Sequence, residues 1–157
     1  MIRVVLTVAV AVALLGASMP ALETARTATT VDRLDTEAER VERSIASLTA
    51  GSVAAAEPSL AARTTATVRV PTGLTAARID RVALVETADD RSGRRGVALA
   101  YRLRGGPVQT VSVVPSVLAV DVDVVGDALA LRTAGRSRLE LRLVDDGGPT
   151  VRITRVG

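Results

Sequence analysis

The sequence predicts an α+β protein in which an N-terminal apolar helix and an amphipathic helix are followed by an antiparallel β meander or small sandwich. Three observations predict this class. An uncharged apolar run opens the chain, a stretch with apolar residues every three or four positions follows, and beyond residue 63 the apolar residues alternate with a period of two. A chain of 157 residues has room for one domain in addition to a targeting segment.

The first segment, Val4–Leu22, contains no charged residue. As a helix it would be about 28 Å long, close to the roughly 30 Å of a bilayer core. Residues 1–22 are therefore either a transmembrane anchor or a signal peptide cleaved after Ser18, and the length of the run favours the anchor. Because Arg3 precedes the run, we expect a single-pass cell-membrane protein whose C-terminal domain is extracellular.

Residues 23–50 are predicted to form an amphipathic helix with a heptad-like seam. The seam consists of Val31, Leu34, Ala38, Val41, Ile45 and Leu48. It would serve either a coiled-coil stalk with weak self-association or packing against the sheet of its own chain, and fewer than three heptads favours the second. We expect one continuous helix from the membrane segment, kinked at Pro20 or with its spanning part ended there, and stopping at Gly51.

After a linker of small residues (51–63), residues 64–157 are predicted to form the antiparallel β domain. Glycine-, proline- and aspartate-containing turns separate eight short strands, and the short connections argue against βαβ crossovers. The predicted strands are Thr64–Val70, Arg78–Thr87, Val97–Arg104, Val108–Val114, Val117–Val125, Ala128–Thr133, Arg138–Val144 and Val151–Val156. The only aromatic residue, Tyr101, is predicted to lie in the core with its hydroxyl group hydrogen-bonded at an edge.

The residue types argue against an enzyme. The chain has no His, Cys or Lys, so the usual nucleophile–base pairs cannot be assembled, and we predict no catalytic residue, no cofactor and no metal site. Asp121 and Asp123 share a strand face about 7 Å apart, where solvation explains them better than a metal ion does. No aromatic platform accompanies the arginines, which argues against nucleic acid as a partner.

The densest basic cluster is formed by Arg91, Arg94 and Arg95. It is a possible contact for an anionic ligand, although a solvated loop is the simpler interpretation. All 20 basic residues of the chain are arginine, which fits a GC-rich genome. Together with the bias toward Val, Asp and Thr, this usage suggests a haloarchaeal source.

The order of apolar helix, amphipathic helix and antiparallel sheet resembles that of type IV pilins and pseudopilins, in which the helix anchors the subunit and later packs in a filament core. Two stretches, MIRVVLTVAVAVALLGASMPALETAR and LALRTAGRSRLELRLVDDGGPTVRITRV, also resemble an uncharacterised haloarchaeal family associated with pilus or secretion gene clusters. The resemblance implies a membrane partner and protein partners within such an assembly.

Two departures from the pilin pattern shape this expectation. Prepilins carry a basic residue followed by Gly or Ala before the apolar run, whereas Arg3 is followed here by Val4. Pilins also carry a glutamate early in that run, whereas the first acidic residue here is Glu23. We therefore expect a membrane-anchored structural or accessory component of an archaeal-type pilus or secretion apparatus. The alternative is a secreted β-sandwich module that binds an acidic envelope ligand after signal-peptide removal.

Overall fold

The computed structural model describes residues 2–88, 95–113, 120–126 and 128–157. One long helix precedes eight strands, which confirms the predicted α+β class. The elements are α1 (Ile2–Gly51), β1 (Ala62–Val70), β2 (Ile79–Ala88), β3 (Arg95–Leu103), β4 (Val108–Ser112), β5 (Asp121–Val124), β6 (Ala128–Ala130), β7 (Gly135–Asp145) and β8 (Pro149–Arg155).

Helix α1 is continuous from the apolar run to Gly51, where the sequence predicts its end. Pro20 lies inside the helix and does not end it. A proline removes only one backbone donor from the helix, so the flanking turns keep their hydrogen bonds. The hydroxyl group of Thr24 donates to the Pro20 carbonyl oxygen at 3.0 Å, which adds a local bond beside the proline.

The eight strands form two four-stranded sheets packed as a sandwich. The first sheet has the strand order β1-β7-β8-β5 and the second has the order β4-β3-β2-β6. Alternation places the apolar residues inside, as β7 shows: Leu139, Leu141 and Leu143 are buried while Glu140 and Arg142 are half-buried on the opposite face. The first strand begins two residues earlier than predicted. Residue 114, the predicted end of the fourth strand, and residues 117–119, the predicted start of the fifth, lie outside the described residues.

One strand pair departs from the predicted antiparallel arrangement: β5 pairs with β8 in parallel, with Asp121 opposite Thr150. Only three residues connect β5 to β6, and β6 lies in the other sheet. Gly126, with a φ of 88°, lies in this connection. The chain thus changes sheets there instead of forming a hairpin, and the β7–β8 hairpin returns it to the first sheet beside β5.

The upper part of α1, Val31–Leu48, lies along β1, at the edge of the first sheet. Its seam joins the inward residues of both sheets in a single hydrophobic core. Because the core contains residues from the helix and from both sheets, the amphipathic helix is an integral part of the β domain. The segment after the helix is also attached: the Asp145 backbone N–H donates to the Ala55 carbonyl oxygen at 3.0 Å.

Candidate functional site

The lower part of α1, Val4–Leu22, exposes its large apolar side chains around the whole helix. Val4 is 67% exposed, Leu15 is 67% exposed and Leu22 is 49% exposed. A helix that is apolar on all sides and not covered by protein has the character of a membrane span. This helix is the one in the described residues that is long and apolar enough to cross a bilayer.

The upper part of α1 presents its apolar residues on one side. Five of the six seam residues are buried, Leu34 and Ile45 completely, and Val31 is half-buried. The structure therefore places the seam in the core of its own chain, which is the second of the two interpretations given above. A coiled-coil partner could reach these side chains only if the core opened.

Two buried polar residues attach the helix to the sandwich. The carboxylate of Glu37 accepts a hydrogen bond from the Arg69 backbone N–H at 2.9 Å, and it also pairs with Arg40. Because β1 is an edge strand, this bond satisfies a backbone group that the sheet leaves unpaired. The fully buried hydroxyl group of Thr30 accepts from the Ala77 N–H at 2.8 Å and donates to a helix carbonyl.

These attachments were not predicted, although the sequence contains a signal for them. Thr30 precedes Leu34 by four residues and Glu37 follows it by three, so both lie on the face of the helix that carries the seam. A polar residue at seam spacing indicates a buried hydrogen bond. The identity of the partner, a backbone group of the β1–β2 region, depends on the tertiary fold.

A charged cleft lies where α1 enters the sandwich. We call it the basal cleft; it consists of two adjoining cavities of about 500 and 530 Å³ that share Arg26, Ala76, Ala77 and Arg78. Leu74 and Thr133 line the first cavity, and Glu23 and Arg104 line the second. The Nε atom of Arg26 is buried and has no hydrogen-bond partner among the described residues.

Asp121 and Asp123 are half-buried on the outer face of β5. The Asp123 carboxylate lies 3.8 Å from the Nε of Arg152. A hydrogen bond with Asp123 is the largest cause that raises the pKa of Glu86, followed by desolvation. Within the described ranges, no group of three or more acidic, His or Cys side chains is placed to hold a metal ion.

The predicted contact for an anionic ligand is only partly described. Arg91 and Arg94 lie outside the described residues, so the three-arginine contact stays a prediction. Arg95 begins β3 opposite Ala88 and is exposed. Its positive charge lowers the pKa of Glu86, but the causes that raise this pKa are stronger.

Tyr101 confirms the prediction made for it. The residue is 2% exposed, and its hydroxyl group donates to Oε1 of Gln109 on the neighbouring edge strand β4 at 2.7 Å. Burial raises the pKa of its hydroxyl group, and the negative charge of Asp35 on the helix raises it further. The residue therefore contributes to packing between the helix and the second sheet.

These features define a class of protein: a β sandwich built onto the upper part of a helix whose lower part is long and apolar enough to span a membrane. Residues 1–156 match a family model described as Domain of unknown function (DUF7311), and the chain belongs to this family. The match includes the apolar helix as well as the sandwich. No curated protein and no solved structure matches the chain.

Proposed function

We propose that the protein is a single-pass, membrane-anchored structural or accessory component of an archaeal-type pilus or secretion apparatus. Its sandwich is displayed outside the cell and acts through protein contacts. One observation carries this proposal: the first part of a single helix, Val4–Leu22, is exposed and apolar, and a later part of the same helix, Val31–Leu48, forms part of the sandwich core. The sandwich is thereby joined to the span without a flexible linker, which suits a structural role better than a soluble one.

A second candidate function, a secreted module that binds an acidic envelope ligand, is favoured by one property of the core. Every core residue and every partly buried residue packed on it lies at or after Val31. Cleavage after Ser18 would therefore remove all but the last four residues of the apolar run and leave the seam intact. The two candidates differ in whether residues 1–18 remain on the mature chain.

The first experiment measures the intact mass and the cell fraction of the protein expressed in its own host. The full-length mass, in membranes that keep the protein after alkaline carbonate extraction, is expected for the anchored component. A mass that begins at Met19, in the soluble fraction, would contradict the anchor and select the secreted module.

The side of the membrane can be tested with one added thiol because the chain contains no cysteine. Val53 lies just beyond the helix and is 88% exposed. We expect a membrane-impermeant maleimide to label Val53→Cys in intact cells, with the unmodified chain as the zero-label control. Labelling only after lysis would place the sandwich in the cytoplasm.

Protein contacts can be tested with the same variant and with Leu60→Cys, a second exposed position in the segment between the helix and β1. A thiol-specific crosslinker applied to intact cells should give adducts of discrete mass that mass spectrometry identifies as pilus or secretion proteins. The cysteine-free chain shows which bands are unspecific. Adducts with proteins of unrelated assemblies, or none from several exposed positions, would contradict the proposed apparatus.

A further inference from the structure

We infer that the basal cleft binds the phosphate groups of anionic lipids and so holds the lower end of the sandwich against the bilayer. This inference rests on the proposed membrane anchoring and adds a ligand class to it. Four observations carry it: the height of the cleft, its charge, the unpartnered Arg26 Nε atom, and the contrast with the far end of the sandwich.

The height follows from helix geometry. The apolar run ends at Leu22, and Arg26 lies four residues further along the same helix, a rise of about 6 Å. The headgroup layer on each side of a bilayer is about 5–8 Å thick. Arg26 is therefore placed at the depth of the lipid phosphates when the apolar run fills the hydrocarbon core.

The charge of this end is positive. Arg26, Arg78 and Arg104 line the cleft. The exposed Arg132 directly precedes the lining residues Thr133 and Ala134, and the exposed Arg136 follows them after one glycine. Two acidic residues accompany these five arginines: Glu23 lines the cleft, and Asp80 lies 3.7 Å from Arg104. That ion pair is exposed, so it leaves Arg104 largely free to bind a phosphate. Guanidinium groups match phosphate oxygens in geometry and charge.

The Nε atom of Arg26 supplies the third observation. It is buried and lacks a hydrogen-bond partner among the described residues, a situation that folded proteins rarely leave uncorrected. Its side chain lines both cavities of the cleft. Because this atom is closed off from solvent, a phosphate oxygen in the cleft can accept its hydrogen bond only after the Arg26 side chain turns toward the cleft.

The far end of the sandwich carries charges of both signs. Strand β1 runs from Ala62, paired with Leu143, to Val70, paired with Gly135, so its two ends lie at opposite ends of the sheet. The Ala62 end adjoins the exposed acids Glu57, Asp145 and Asp146 and, beside them, Arg63, Arg142 and Arg152, of which Arg152 pairs with Asp146. The Val70 end leads into the cleft. Among the described residues, the surplus of arginine over acidic residues therefore lies at the cleft end of the sandwich and not at the far end.

The test uses the full chain reconstituted in vesicles of neutral phosphatidylcholine or of phosphatidylcholine with phosphatidylglycerol. A fluorophore is attached to Leu74→Cys beside the cleft or to Val53→Cys at the far end; the two native residues are 87% and 88% exposed. A headgroup spin-labelled lipid quenches dyes close to the phosphates. We expect the dye at position 74 to be quenched about threefold more in anionic than in neutral vesicles. The dye at position 53 should not be quenched in either type of vesicle.

Matched charge variants show which arginines are responsible. Arg78→Gln with Arg104→Gln should abolish the extra quenching caused by anionic lipid. Arg43→Gln with Arg95→Gln removes two exposed arginines far from the cleft. This pair should leave the extra quenching within about 20% of the original value, because exposed charges act only over roughly a Debye length. Equal quenching in both vesicle types, or equal loss with both pairs of substitutions, would overturn the inference.

Failure of the lipid site and failure of the anchor give different results. A protein that does not remain in the vesicles after carbonate extraction refutes the anchoring itself, whereas a retained protein without lipid-dependent quenching refutes only the lipid site. Inorganic phosphate is titrated in neutral vesicles at constant ionic strength. A rise in thermal stability with phosphate, and none with anionic lipid, would assign the cleft to a free anion and overturn the lipid assignment.

Discussion

The two parts of α1 have the same backbone and opposite environments. Along Val4–Leu22 the apolar side chains point in every direction and remain uncovered, whereas along Val31–Leu48 they lie on one face and are buried beneath two sheets. Hydrophobicity alone therefore does not determine which part belongs to the core. The angular distribution of apolar residues around the helix does, because a sheet can cover one face of a helix but not its whole circumference.

The comparison predicts a large difference between two identical substitutions. Leu34→Ala removes a fully buried side chain and should lower the free energy of unfolding of the sandwich by about 2–5 kcal/mol, from lost burial and the cavity left behind. Leu14→Ala changes a side chain that is 66% exposed and should alter it by less than about 0.5 kcal/mol. Denaturant unfolding in mild detergent measures both values, and similar losses would contradict the division of the helix.

A charge in the apolar run should weaken membrane anchoring and leave the stability of the sandwich unchanged. Val10→Arg places a guanidinium group near the middle of the span and is expected to disfavour membrane insertion by about 2.5–3.5 kcal/mol. Carbonate extraction should then release the protein, while its unfolding midpoint stays unchanged. Val10→Leu is the matched control and should remain in the membrane. Retention of the arginine variant would show that the run is not the anchor.

The polar attachment of the helix should have a smaller effect. Glu37→Ala leaves the Arg69 backbone N–H without its partner and should cost about 1–3 kcal/mol of stability. Glu39→Ala, an exposed position two residues along the same helix, should cost less than about 0.5 kcal/mol. Thermal or denaturant unfolding of the two variants compares them directly. Equal values would mean that water replaces the carboxylate at the edge of β1.

The smallest expected effect concerns the dependence of stability on pH. Because the pKa of Glu86 is raised in the folded protein, its protonated form favours folding below its ordinary pKa of 4.5. That contribution is lost as the pH rises through the raised value. Glu86→Gln should therefore flatten the decline in stability above pH 4.5 by a small amount, since the side chain is exposed. A steeper decline in the variant would contradict the sign.

The sequence was sufficient for features that depend on neighbours along the chain. Leu139, Leu141 and Leu143 alternate with charged residues, and this local pattern alone predicts a strand with one buried face. The seam spacing likewise predicts a helix with one buried face. Its length, short for a coiled coil, favours packing within the chain, and the structure places it there.

Features that depend on distant residues could not be predicted. The chain changes sheets between β5 and β6, so these neighbours in sequence form no hairpin, and β5 pairs in parallel with β8 instead. No local pattern encodes which strand β5 meets. The basal cleft joins Arg26 on the helix to Arg78 and Arg104 on two different loops. These residues are 52 and 78 positions from Arg26 in sequence, so only the tertiary fold brings them together.

The unbroken helix between Leu22 and Thr30 also sets the direction in which the sandwich faces. Each residue of an α-helix advances about 1.5 Å and turns about 100° around the axis. Insertion of one residue in this interval would therefore rotate the sandwich about 100° around the span while raising it by only about 1.5 Å. Four added residues would leave it about 40° from its original direction. The number of residues between the span and the core thus determines which side of the sandwich faces a neighbouring protein in the membrane.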